Sequence, residues 1–281
     1  MKFEHKKCYG ISYSGILTGY EKSIAVQGTV NSQNEIVLIE KALFHDGFDE
    51  NLDTASACEK ILAQERGFIK KSIEDRIPIV IDEPLDISQA KHDALGLRPI
   101  DRFLIGSPPL ASYLGVLTAR AHSAVGQEEP IFENYLYETY PDGILRLRFI
   151  LEQAIQNGKS IQDWQSYLEN FPRISPENTR CWSGKIISSQ NKWVPDDSKI
   201  DNTTSKGQRT LRESKWLAGL LDELRMVPCK DGIHLNSNYL DAMICTITGL
   251  VYSTSLDGSD LALPEGYRIP REWPKQIIVM S

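Results

Sequence analysis

The chain has 281 residues, 41% hydrophobic and 25% charged, which is ordinary globular material with enough length for a sizeable core. Its 31 basic and 38 acidic residues leave a net charge of −7, so the whole-protein field does not favour nucleic acid, although a local basic groove could lie within it. Cys8, Cys58, Cys181, Cys229 and Cys245 are odd in number and lack CxxC spacing, which argues against a disulfide framework or structural zinc and reads as reduced thiols in a cytoplasm. The N-terminus has no apolar signal core and no apolar run reaches membrane length, so a soluble protein without a membrane partner is expected.

In chain order, Cys8 to Gly15 reads as a short strand entering a glycine turn. Its period of two places Gly10, Ser12 and Ser14 on one face and Tyr9, Ile11 and Tyr13 on the other. Residues Ser23 to Val30 and Glu35 to Leu43 are strand candidates joined by the polar Asn31-Ser-Gln-Asn34, giving an antiparallel meander. Leu52, Ala55, Cys58, Leu62 and Ile69 recur at helical spacing between Asn51 and Ile73, with Gly67 weakening the far end. A strand follows in Ile77-Pro-Ile-Val-Ile-Asp-Glu-Pro-Leu85. It is apolar on both faces, so it belongs between two layers, parallel to a neighbour through the preceding helix. Asp82 stands where the apolar run stops, at the carboxyl end where ligands of open α/β sheets gather; an aspartate there could equally cap a turn.

Asp86 to Gly126 is broken by glycines and prolines and reads as loop followed by a helix. Phe132 to Pro141 is an aromatic-rich strand with Glu138 near its end, and two short helices are expected after Asp142. From Ser175 to Asp231 polar residues dominate. Trp182, Trp193 and Trp216 are interleaved with Arg180, Lys185, Lys192, Lys199, Lys206, Arg209, Arg212 and Lys215, and Asp201 to Gln208 is loop-like. Bases beside aromatics can form a nucleic-acid groove, but the neighbouring acids nearly balance them, as in a solvated subdomain. Ser237 could cap a helix over Asn238 to Tyr252, in which Asp241 shares a face with Ile244, Cys245 and Thr248. An acid on a stripe otherwise small or apolar needs a reason to face inward.

No internal repeat, P-loop, GxSxG elbow, HExxH or CxxC pair is present. Of the five histidines, only His234, shortly before the Asp241 helix, is placed to serve as an acid or base. Three acids remain at element ends: Asp82, Glu138 and Asp241. Carboxylates gathered at one sheet edge repel unless a cation neutralises them, and two hard divalent ions could activate a water and stabilise the leaving oxygen of a phosphodiester.

The blocks Gly10-Ile-Ser-Tyr-Ser-Gly15, Ile79-Val-Ile-Asp-Glu-Pro-Leu85, Tyr137-Glu-Thr-Tyr-Pro141, Leu240-Asp-Ala-Met-Ile-Cys245 and Pro264-Glu-Gly-Tyr-Arg-Ile-Pro270 resemble, in order and spacing, those of the predicted nucleases grouped as domain of unknown function 429. The resemblance implies a single ribonuclease H-like domain over residues 1–281: an α/β fold with a mixed five-stranded sheet flanked by helices. Residues 175–231 would form a helical or irregular insertion before the last core helix. It also implies Mg2+ or Mn2+ held by Asp82, Glu138 and Asp241, and hydrolysis of nucleic acid by metal-activated water. The chain departs from the pattern at Ser12, where the family usually has an acid in the first strand. A neutral hydroxyl there should lower metal affinity, with Ser14, Glu40, Glu83 or Asp142 as candidates to compensate. A relative that binds nucleic acid or a protein partner without cutting is therefore the alternative. A phosphate-binding enzyme of the actin-like architecture ranks behind both, since it generally wants the same first-strand acid and a second glycine-rich loop.

Overall fold

The computed structural model describes residues 5–13, 23–43, 53–82, 135–139, 184–228 and 237–251, together with the single positions 141, 145, 149, 156 and 158. In these segments lie β1 (Lys7–Ser12), β2 (Ile24–Val30), β3 (Ile36–Leu43), α1 (Thr54–Glu74), β4 (Ile79–Ile81) and β5 (Leu136–Glu138). They continue with β6 (Ile186–Ser189), β7 (Lys192–Pro195), α2 (Ser205–Glu223) and α3 (Ser237–Val251).

The fold is α/β. A five-stranded mixed sheet has the order β3-β2-β1-β4-β5, with β2 antiparallel to both neighbours and β1, β4 and β5 parallel. The expected order of meander, helix and parallel strand is therefore present, because a helical crossover returns β4 beside β1 in the same direction. β4, which ends at Asp82, lies inside the sheet between β1 and β5.

Side-chain alternation divides the sheet between two cores. Tyr9, Ile11, Tyr13, Ala25, Ile79, Ile81 and Leu136 pack with Ile61, Ile69 and Ile73 of α1, while Cys8, Val26 and Val80 on the opposite face pack with α3. α1 starts at an Asp53 cap whose side chain accepts from the Ala55 and Ser56 amides, both at 3.0 Å. Gly67 does not shorten the helix. It looks into open space, while Ala57, Ile61, Ile69 and Ile73 form the buried stripe that keeps the far end in place.

The polar region beyond Ser175 is more ordered than its composition predicts. β6 and β7 pair through a two-residue turn, Gln190-Asn191, with φ of 49° and 60°, the backbone signs of a type I′ hairpin. The segment read as a loop over Asp201 to Gln208 is the start of α2, where the Thr204 hydroxyl accepts from the Gly207 amide at 3.0 Å. Gly207 is required because a Cβ would strike the Asp201 carbonyl. α2 buries Leu217, Ala218, Leu220 and Leu221 in the same core as α3. Beyond it, Ile36 donates to the Arg225 carbonyl at 3.0 Å and Val227 to the Ile36 carbonyl at 2.8 Å, tying this region to β3 at one end of the sheet.

α3 is buried on almost every side, which requires an apolar circumference rather than a stripe. Gly10 and Gly249 allow its close approach. A Cβ on Gly10 would meet the Ala242 carbonyl and the Thr246 amide, and one on Gly249 would meet Cys8 and Val80. Among the described residues no helix is long and apolar enough to cross a membrane.

Candidate functional site

The sheet register locates the end of β4. Ile11 pairs with Ile81, and Ile81 with Glu138; the Asp82 amide then donates to the Ile11 carbonyl and the Thr139 amide to the Ile81 carbonyl, each at 3.0 Å. One step beyond the paired row, Ser12, Asp82 and Thr139 therefore stand side by side on the face that α3 covers. Ser12 and Thr139 are buried, at 2% and 1% exposure, while Asp82 is half-buried.

α3 brings a second acid to this end. Gly249 lies against Cys8, and Ala242 and Thr246 lie against Gly10, so the helix runs antiparallel to β1 and its first turns reach the level of Ser12. Thr246 and Leu250 lean toward β2, where the Thr246 hydroxyl donates to the Val26 carbonyl at 2.9 Å. At about 100° per residue, Asp241 and Cys245 then fall on the flank nearer β4. The structure thus places the half-buried Asp241 on the same face and at the same end of the sheet as Asp82.

Glu138 is not brought to that face. It pairs with Ile81 and follows Leu136 by two residues, so alternation turns it toward α1, where it is 2% exposed. A second carboxylate on that side, Glu65 of α1, is fully buried. Sequence reading passed over Glu65, although its signal was present: a charge in the i, i+4 row Ala57, Ile61, Glu65, Ile69 and Ile73. Ser14, Glu83, His234 and Asp142 lie outside the described residues, as does the side chain of Glu40.

Asp82 and Asp241 are acceptor-only when ionised and suit a hard cation. Magnesium is commonly bound through one or two carboxylates, with water and substrate phosphate oxygens completing the shell. The chain's donor set on the α3 face fits that demand as two carboxylates and one neutral hydroxyl, Ser12. Among the described residues, no three His, Cys, Asp or Glu side chains come together as a metal cluster. Buried Cys8 offers no thiolate, because burial pushes its pKa far up. Trp193 offers no stacking platform: it is 3% exposed, and its indole N–H donates to the Met226 carbonyl at 3.0 Å.

No protein-family model, curated protein or solved structure matches the chain.

Proposed function

We propose that the chain is a ribonuclease H-like, divalent-cation-dependent hydrolase of phosphodiester bonds, related to the predicted nucleases its sequence blocks resemble. The observation that carries this reading is the convergence of Asp82 and Asp241 on one face at the carboxyl end of the parallel strands. Strand order and directions support the same reading, since a meander followed by two parallel strands is the arrangement the resemblance implies. Ligands of open α/β sheets gather at that edge.

In this reading Asp82 and Asp241 hold Mg2+ or Mn2+, and Ser12 contributes a hydroxyl dipole where related enzymes contribute a charge. A cation bound there would polarise the phosphoryl group and lower the pKa of water at the site. The protein's own part is placement: β4 fixes Asp82 inside the sheet, and the glycine contacts of Gly10 and Gly249 fix the height of Asp241. With only two carboxylates in place, the protein supplies less charge than a three-acid site, so substrate phosphate completes the coordination.

The test is cleavage of single- and double-stranded DNA and RNA with manganese, with magnesium and with chelator, running Asp82→Asn beside the parent. Metal-dependent cutting that vanishes in the variant is expected. Absence of cutting together with absence of calorimetric cation binding would overturn the proposal. The second reading would then stand: a related module that binds nucleic acid or a protein without cutting. Ser12 favours it, because this buried neutral group takes the place of a metal-bridging acid.

A further inference from the structure

The row Ser12–Asp82–Thr139 has a consequence for Asp82 that the cation-site reading above does not include, although it rests on that reading. Both residues flanking Asp82 in the sheet are hydroxyl-bearing, both are almost fully buried, and both share its face. We propose that Thr139 is a positioning residue whose hydroxyl donates to the Asp82 carboxylate and fixes it for cation binding from the β5 side.

Neighbouring strands lie about 4.8 Å apart, so a Thr Oγ1 on β5 is within reach of an Asp side chain at the same level of β4. A hydroxyl bonded to a carboxylate forms a charge-assisted bond, stronger than a neutral pair. Threonine also suits the task geometrically, since branching at Cβ restricts χ1 and its own burial leaves little room to turn away. The amide of Thr139 is already held by the Ile81 carbonyl at 3.0 Å, which sets the backbone from which the hydroxyl projects. Groups that orient a metal ligand typically change metal affinity 10- to 100-fold when removed. Ser12 occupies the equivalent place on the β1 side, but it stands where the cation itself is expected to sit; Thr139 acts only through Asp82.

The experiment uses the full chain and manganese ion alone as probe, with binding followed by calorimetry and by the manganese electron-spin signal. Thr139→Val keeps the shape and removes the hydroxyl, Thr139→Ser keeps the hydroxyl, and Thr139→Ala removes it by a second route. Thr139→Val and Thr139→Ala are expected to weaken manganese binding about tenfold or more, while Thr139→Ser stays within about twofold of the parent. A folded Thr139→Val or Thr139→Ala protein that binds manganese as the parent does, or a Thr139→Ser protein as weak as Thr139→Val, would overturn the role of Thr139 and leave the cation site standing. A parent that binds no manganese would overturn both, so the two failures are distinguishable.

Discussion

At the scale of single residues, face assignment separates the acids. Asp82 and Glu138 stand on adjacent parallel strands but one step out of phase, so alternation sends Asp82 toward α3 and Glu138 toward α1. Substituting Glu138→Gln is accordingly expected to alter stability while leaving cation affinity within about threefold of the parent, whereas Asp82→Asn abolishes it; titration calorimetry on both variants separates the cases. Ser12→Asp should raise manganese affinity, since a full charge would replace a dipole beside Asp82. Gly10 is a sterically fixed position. Ala at this site would drive a methyl into the Ala242 carbonyl and the Thr246 amide, and a loss of about 3 kcal/mol or more is expected in urea unfolding, as for other overpacked cores.

Cys8 gives a pH prediction at the same scale. Burial raises the folded thiol's pKa from the ordinary 9.0, so below pH 9.0 both folded and unfolded chains carry the neutral thiol and its contribution is fully present. Above that value the unfolded chain releases its proton first, and stability falls as pH rises. Tyr9 shifts in the same direction, chiefly by burial and secondarily through Asp75, and adds to the fall above pH 10.0. Denaturation between pH 8 and 11 should show this alkaline decline, and Cys8→Ala should flatten its earlier part.

At the scale of elements, capping and burial stripes explain where the chain becomes regular. α2 begins inside a polar stretch because Thr204 caps it and because Thr210, Glu213, Ser214, Leu217, Ala218 and Leu221 fall on one buried side. Glu213 is tolerated there because it accepts from Arg209 at 2.6 Å in an i, i+4 pair. Removing the cap with Thr204→Ala should cost about 1 kcal/mol, readable as a lower urea midpoint with an unchanged slope. The Ser175 to Asp231 region was hard to read because its apolar residues are sparse and interrupted by charges. The turn at Gln190-Asn191 has positive φ without glycine, and a short hairpin of polar residues carries little alternation.

At the scale of the whole molecule, α3 links the layers. Its core extends from the sheet through α3 to α2 and the β6–β7 hairpin, and Ile36 exchanges backbone bonds with Arg225 and Val227. The later region should therefore unfold with the sheet rather than before it. Hydrogen exchange tests this: the Ile36 and Val227 amides should be protected to the same free energy as those of β1, and a separately exchanging 184–228 segment would refute it.

Much of the sheet was legible from the sequence alone. Doubly apolar Ile77 to Ile81, the alternation of Tyr9, Ile11 and Tyr13 against Gly10 and Ser12, and the meander before the first helix are local patterns, and local sterics and burial decide them. The same holds for Asp82 at a strand end and Asp241 early in a helix. Tertiary structure alone decided which acids share a face. That depends on the register between β4 and β5 and on the height of α3 against β1, and a shift of one residue in either would regroup Asp82, Glu138 and Asp241 without changing any local pattern. It also decided that Trp193 is a core residue and that Thr139 stands beside Asp82, because contacts between segments so distant in sequence are set by packing.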